Sequence, residues 1–271
     1  MKRMIFTLIL TLIVAGLAAT GFALAHDTWV QCNTNLVRTG DAVHLDLMLG
    51  NHGNDHRDFK LASKLSLDSI QTLAVRSPEG KTYDVKPDLA DLGYAPKEGF
   101  LSAKFTTAKP GIYVVYQASD SVVNHGKPVR SVRSAKCFFQ VSDSLDKVEK
   151  LTSGFATPLG HALEIVPTSN PVAPMGPGTP IAVKLLFNGK PLAGVKVSFV
   201  PRSVTLKEGM DAEYERQTDA EGKCRFTPKT GNYYLVVAHH TTNEKSEKYE
   251  ETKYSATLTV FVPEKCPCCG D

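Results

Sequence analysis

The sequence predicts an all-β protein: two tandem immunoglobulin-like β-sandwich domains behind an N-terminal signal peptide. Three observations predict it. Short runs alternate apolar and polar residues, and period 2 marks half-buried strands. Gly and Pro turn signals separate these runs at short spacing. Helical periodicity is scarce outside residues 1–25, which have the three-part form of a secretory leader.

The leader begins with the positive Met1-Lys2-Arg3, continues through an apolar run from Ile5 to Ala15, and ends in the small-residue site Ala23-Leu24-Ala25. A cut after Ala25 makes His26 the first mature residue and sends the chain to the periplasm or outside the cell. An uncleaved anchor is the rival reading, since the apolar stretch is nearly long enough to span a membrane. Gly16, Gly21 and the Ala-Leu-Ala end favour cleavage. No later stretch is apolar enough to cross a bilayer. The formal charge of +3 includes Lys2 and Arg3, so the mature chain is near neutral and nothing points to nucleic acid.

The first domain is expected over residues 26–142. Thr28 to Cys32 is a short strand. Along Ala42 to Leu49, Val43, Leu45, Leu47 and Leu49 share one face, and His44 and Asp46 point outward. Residues 50–58 form a polar loop carrying His52 and His56. A hairpin is expected over 73–85 with Pro-Glu-Gly at its turn. Residues 86–99 form a loop, and strands follow at 100–105, 112–117 and 135–141, with a loop containing His125 before the last. A linker covers 143–160.

The second domain, 161–262, opens with a strand at 163–167. Five prolines and two glycines in residues 167–180 make a stiff surface connection. Strands at 181–187 and 195–200 flank an Asn-Gly turn, and further strands lie at 223–226, 231–240 and 254–262. A cysteine-rich tail, 263–271, ends the chain.

The segments Gly189-Lys190-Pro191-Leu192-Ala193-Gly194, Thr218-Asp219-Ala220-Glu221-Gly222 and Gly231 to Val237 resemble a transthyretin-like, carboxypeptidase-regulatory β-sandwich. A wider resemblance adds Ala25-His26-Asp27-Thr28-Trp29, Gly160 to Pro167, Asn170-Pro171, Ala238-His239-His240 and Tyr254 to Thr259. In this ordered set the chain is similar to a bacterial periplasmic family described as a domain of unknown function. Its members are often labelled the periplasmic component of a cobalt or nickel ABC-type uptake system. That resemblance implies a divalent metal ion as cargo and a membrane uptake transporter as partner. The Cys266-Pro267-Cys268-Cys269 tail is not part of the pattern.

Residue chemistry offers a metal site of its own. Nickel, cobalt and copper ions favour imidazole and amine nitrogen. A mature His26 would supply an α-amine of pKa near ~8 and a ring of pKa near ~6.5. Further ligands are needed, and the candidates are His239 and His240 at a strand end and His52 with His56 in the loop. Adjacent strand residues point to opposite faces, so at most one of His239 and His240 joins a given site. His-Asp-Thr lacks the third-position His of the square-planar N-terminal copper and nickel motif.

Cys32 and Cys137, in the first and last strands of the first domain, are candidates to pair as sheet neighbours, although sequence does not fix connectivity. The tail thiols suit Cu(I) or Zn, or oxidise. Cys224 reads as a buried small hydrophobe. Asp211, Glu213 and Glu215 read as a solvated charged loop.

No Gly-x-Ser-x-Gly, His-Glu-x-x-His or phosphate-binding Gly-rich loop occurs, so no enzyme is expected. The leading expectation is a periplasmic protein that binds nickel or cobalt for uptake. The alternatives are a non-enzymatic adhesion or scaffold sandwich and a periplasmic copper-handling protein.

Overall fold

The computed structural model describes residues 26–52, 65, 67–93, 99–124 and 126–264. The leader, His56, His125 and the tail cysteines lie outside the described residues. The described chain is an all-β sandwich, with helix limited to two 3-10 turns, Leu67–Ser69 and Lys86–Asp88.

The N-terminal half contains β1 (Asp27–Cys32), β2 (Leu36–Arg38), β3 (Ala42–Gly50), β4 (Thr72–Arg76), β5 (Thr82–Asp84), β6 (Ala90–Asp91), β7 (Leu101–Thr106), β8 (Gly111–Asn124) and β9 (Pro128–Ser142). The C-terminal half contains β10 (Leu163–Pro167), β11 (Ile181–Phe187), β12 (Lys190–Pro191), β13 (Lys196–Pro201), β14 (Glu215–Gln217), β15 (Lys223–Phe226), β16 (Asn232–Thr242) and β17 (Glu251–Val262). The β11–β12 hairpin turns on Asn188 and Gly189, both at positive φ (49° and 76°), the conformation that Asn-Gly favours.

Strands from both halves join in one nine-stranded sheet, ordered β14-β13-β16-β17-β9-β8-β4-β5, with β2 also on β9. The junction is a parallel pairing of β17 with β9, from Glu251 opposite Val129 to Thr259 opposite Cys137. Parallel neighbours need a long crossover, and here the crossover is nearly the whole C-terminal half. Two four-stranded sheets cover this large sheet, β1-β3-β7-β6 and β10-β11-β12 with β15 on β11.

Alternation sorts the side chains between two cores. Ala135, Cys137, Phe139 and Val141 of β9 meet Val43, Leu45, Leu47 and Leu49 of β3. Tyr254, Ala256, Leu258, Val260 and Val262 of β17 meet Val183 and Leu185 of β11. The β8–β9 hairpin is longer than the expected 112–117 and 135–141 strands. Its polar outer part is held by Arg130, which grips Asp120 at 2.7 Å and Glu244 at 2.9 Å.

Strand β1 is the piece that fits three surfaces at once. Val30 and Cys32 enter the N-terminal core. Trp29, on the opposite face, is fully buried with Met48 against Val200, Leu235 and Val237 of the C-terminal half. β1 is also the edge of its sheet. Its edge carbonyls are not left open, because Thr257 and Thr259 of β17 donate their hydroxyls to the carbonyls of Thr28 (2.8 Å) and Val30 (2.7 Å). Two threonine side chains thus stand in for a neighbouring strand.

Three sequence expectations are corrected here. Cys32 and Cys137 are not sheet neighbours: β1 and β9 belong to facing sheets, and their sulfurs meet across the core at 3.4 Å. Asp46 does not point into solvent. It is half-buried, accepts a 2.7 Å hydrogen bond from Ser102, and burial raises its pKa. Asp211 and Glu215 are buried rather than solvated. The Asp211 carboxylate accepts the backbone N–H of Lys207, Glu213 and Tyr214, and Glu215 takes the Ser198 hydroxyl and the Lys196 ammonium. Backbone donors in a tight loop need acceptors, and these carboxylates serve as them.

Candidate functional site

The β1–β16 contact sets the candidate site. Trp29 buries the centre of the interface between the halves, and polar residues close both of its ends. At the inner end Arg202 donates to Gln31 at 2.8 Å and lies over the Tyr233 ring at 5.1 Å. At the outer end Asp27 Oδ1 sits 2.8 Å from His239 Nε2. Residue 27 is the first of β1, so this contact brings the start of the described chain onto β16.

His239 is the strand-end histidine that faces β1, and it follows Leu235 and Val237 on one face of β16. Burial and the Lys196 charge would lower its pKa, but the Asp27 charge and hydrogen bond outweigh them and raise it. Half of the side chain (52 %) stays open to solvent. When neutral, His239 donates Nε2–H to Asp27 and keeps its other ring nitrogen as an acceptor. Arg133 is in register with Ser255 and so with His239 across the sheet, and it feels the Asp27 charge. It donates to Thr28 Oγ1 (3.2 Å) and Ser131 Oγ (3.0 Å). Burial pulls its pKa down, with Asp27 opposing.

His240 points the other way, as the period of two requires. Its ring packs edge-on against Phe187 at 4.7 Å and beside Tyr254 at 6.4 Å. His52 lies at the end of β3, edge-on to Trp29 at 5.4 Å. It is only 4 % exposed, and neither ring nitrogen has a hydrogen-bond partner. Burial and the Arg202 charge push its pKa down to about 3. It is therefore a neutral, buried imidazole, not the solvated loop residue its Gly-rich surroundings suggest.

Of the five histidines expected at a metal site, the fold holds His239 against Asp27, the residue that follows His26 in the chain. It sets His240 on the far face and His52 against Trp29. His56 lies outside the described residues. Asp27 and Arg133 were missed as neighbours of His239. The only sequence signal for Asp27 was its place beside His26. Among the described residues, no three His, Cys, Asp or Glu side chains gather closely enough to hold a metal ion. No described helix is long and apolar enough to cross a membrane.

Residues 23–242 match the family model described as Domain of unknown function (DUF4198). The chain belongs to that family. No curated protein matches this DUF4198 member. Among solved structures it is similar to a DUF4785 family protein from Legionella pneumophila, at 10% identity and TM-score 0.27 over 77% of this chain and 50% of that one. It is also similar to Salmonella alpha-2-macroglobulin, at 15% identity and TM-score 0.25 over 86% of this chain and 15% of that one. A third is the Yersinia pseudotuberculosis adhesin InvE, at 14% identity and TM-score 0.19 over 86% and 58%. This DUF4198 chain thus spans about half the length of the Legionella protein. Similarity at these scores is too slight to bear on function.

Proposed function

We propose that this protein is exported and binds a divalent transition ion as cargo, nickel or cobalt first, at the corner formed by His26, Asp27 and His239. From there the ion would pass to a membrane uptake transporter. The observation that carries this reading is the 2.8 Å contact between Asp27 and His239, which holds residue 27 against the strand-end imidazole. A cut after Ala25 would add the α-amine of His26 at the same corner. Among the described residues, side chains alone gather no three such donors.

The chemistry is consistent across the corner. Nickel and cobalt favour the nitrogen donors of an amine and two imidazoles. Asp27 would orient His239 in the manner of an outer-shell carboxylate. Arg133 opposes a second positive charge, so an ion would enter best when His239 is neutral. The raised pKa of His239 then makes protons direct competitors, and affinity falls on acidification.

Calorimetric titration of the chain beginning at His26 with Ni(II), Co(II) and Cu(II) tests this. We expect at least roughly tenfold weaker binding after His239→Ala, after addition of one glycine ahead of His26, and on going from pH 7.5 to pH 5.5. Unchanged affinity in the glycine-extended chain would remove the N-terminal site. Absence of binding to any of the three ions would remove the metal reading altogether. A clear preference for Cu(II) would turn it toward copper handling.

A further inference from the structure

We propose that Cys32 and Cys137 form a disulfide that ties β1 to β9 across the N-terminal sandwich. Their sulfurs lie 3.4 Å apart inside one core, among Val30, Val115 and Phe139. A covalent bond would draw them in to ~2.0 Å. Cys224 stands on β15 in the other sandwich, packed on the C-terminal core. The pairing is independent of the metal reading, since neither cysteine belongs to the His239 corner.

The chemistry is thiol–disulfide exchange with an oxidant that itself carries a disulfide. The thiolate of one cysteine attacks that disulfide, forms a mixed disulfide and releases one thiol of the oxidant. The second cysteine attacks the mixed disulfide, closes the Cys32–Cys137 bond and releases the other thiol. Two protons and two electrons leave the protein, and the oxidant becomes a dithiol, or two thiols in the case of glutathione disulfide.

Timing follows from burial. Cys32 and Cys137 are 6 % and 3 % exposed. Burial and the Cys32 contact push the Cys137 thiol well up, so little thiolate exists once the core has closed. Exchange therefore precedes or accompanies docking of β1. Afterwards the bond is sealed from reductants. It links positions 105 residues apart, the long-loop case in which a cross-link restricts the unfolded chain most.

The test uses the full chain in two arms. One is the leader-bearing protein recovered from the cell envelope. The other is reduced, denatured chain refolded in a glutathione redox buffer. Free thiols are blocked, and peptides are mapped by mass without reduction. We expect a linked pair of peptides containing Cys32 and Cys137 in both arms, and a Tm lower by roughly 5–15 °C after reduction. The Cys32→Ala/Cys137→Ala double variant should match the reduced wild type and lose all response of Tm to reductant. Recovery of Cys32 and Cys137 as blocked free thiols after denaturation, or linkage of either to another cysteine, overturns the proposal. The mapping decides even if the double variant does not fold.

Discussion

Two of the charged contacts between the halves of this molecule differ in almost every physical respect. Lys136 of β9 and Glu164 of β10 meet at 2.5 Å with both side chains sealed from water. Asp27 and His239 meet at 2.8 Å with the histidine half open. The sealed carboxylate is well satisfied: Glu164 also accepts the backbone N–H of Leu159, Gly160 and His161. Burial works to raise the Glu164 pKa, but Lys136 and the Leu159 N–H outweigh it and hold it lowered. Burial pulls Lys136 down, with Glu164 opposing. The comparison teaches that burial decides the role. A sealed pair fixes how the linker re-enters the fold, whereas an open one remains available to protons and to ligands.

The largest expected effect comes from breaking the sealed pair. Glu164→Leu leaves a buried ammonium and three backbone N–H groups without an acceptor. The expected cost is about 3–5 kcal/mol, read as a Tm lower by about 10 °C and little changed by added salt. A loss no larger than that of Asp27→Asn would show that water reaches Glu164.

His52 sharpens the contrast from within the β1 interface, because it is buried without a charge partner. Its folded pKa of about 3 lies below the ordinary 6.5, so its contribution is whole above pH 6.5. That contribution falls as pH drops toward 3, because only the unfolded chain takes up the proton. The slope from this group is about 1.4 kcal/mol per pH unit. His52→Phe should therefore be less acid-sensitive than wild type by that slope between pH 6 and 4 in urea titrations. Parallel pH profiles would mean that His52 is hydrated.

The smallest effect belongs to the open pair. The His239 pKa is raised, so its contribution is complete below pH 6.5 and is lost as pH climbs through the folded value. Solvent screening at a half-exposed ring keeps it under about 1 kcal/mol. Asp27→Asn should destabilise by that much at pH 6 and by nothing measurable at pH 9. A difference that persists at pH 9 would assign Asp27 to Arg133 instead.

Much of the fold was legible because alternation is a local signal. Val43, Leu45, Leu47 and Leu49 declare their face, and the Asn188-Gly189 turn declares its hairpin. What was hidden depends on partners far along the chain. Nothing local to Thr257 and Thr259 names a partner, yet they close the edge of β1. Ser119 to Asn124 read as loop, yet Arg130 and the neighbouring strand hold them in register. Lys136 stood between Ala135 and Cys137 in an apolar strand, a signal that something buried must meet its charge, but nothing local named Glu164. For the site, the opposite facing of His239 and His240 was readable from strand period, whereas the burial of His52 was not, because Asn51 and Gly53 carry no packing signal.

The threonine caps on β1 also order events in time. The Thr28 carbonyl and the Thr257 hydroxyl are 229 residues apart, as are those of Val30 and Thr259. The first strand to be synthesised therefore waits for the last before its edge can close. Contacts of such separation are slow to form because a long loop must close first. Until β17 arrives, the Thr28 and Val30 carbonyls lack the hydroxyls that close them.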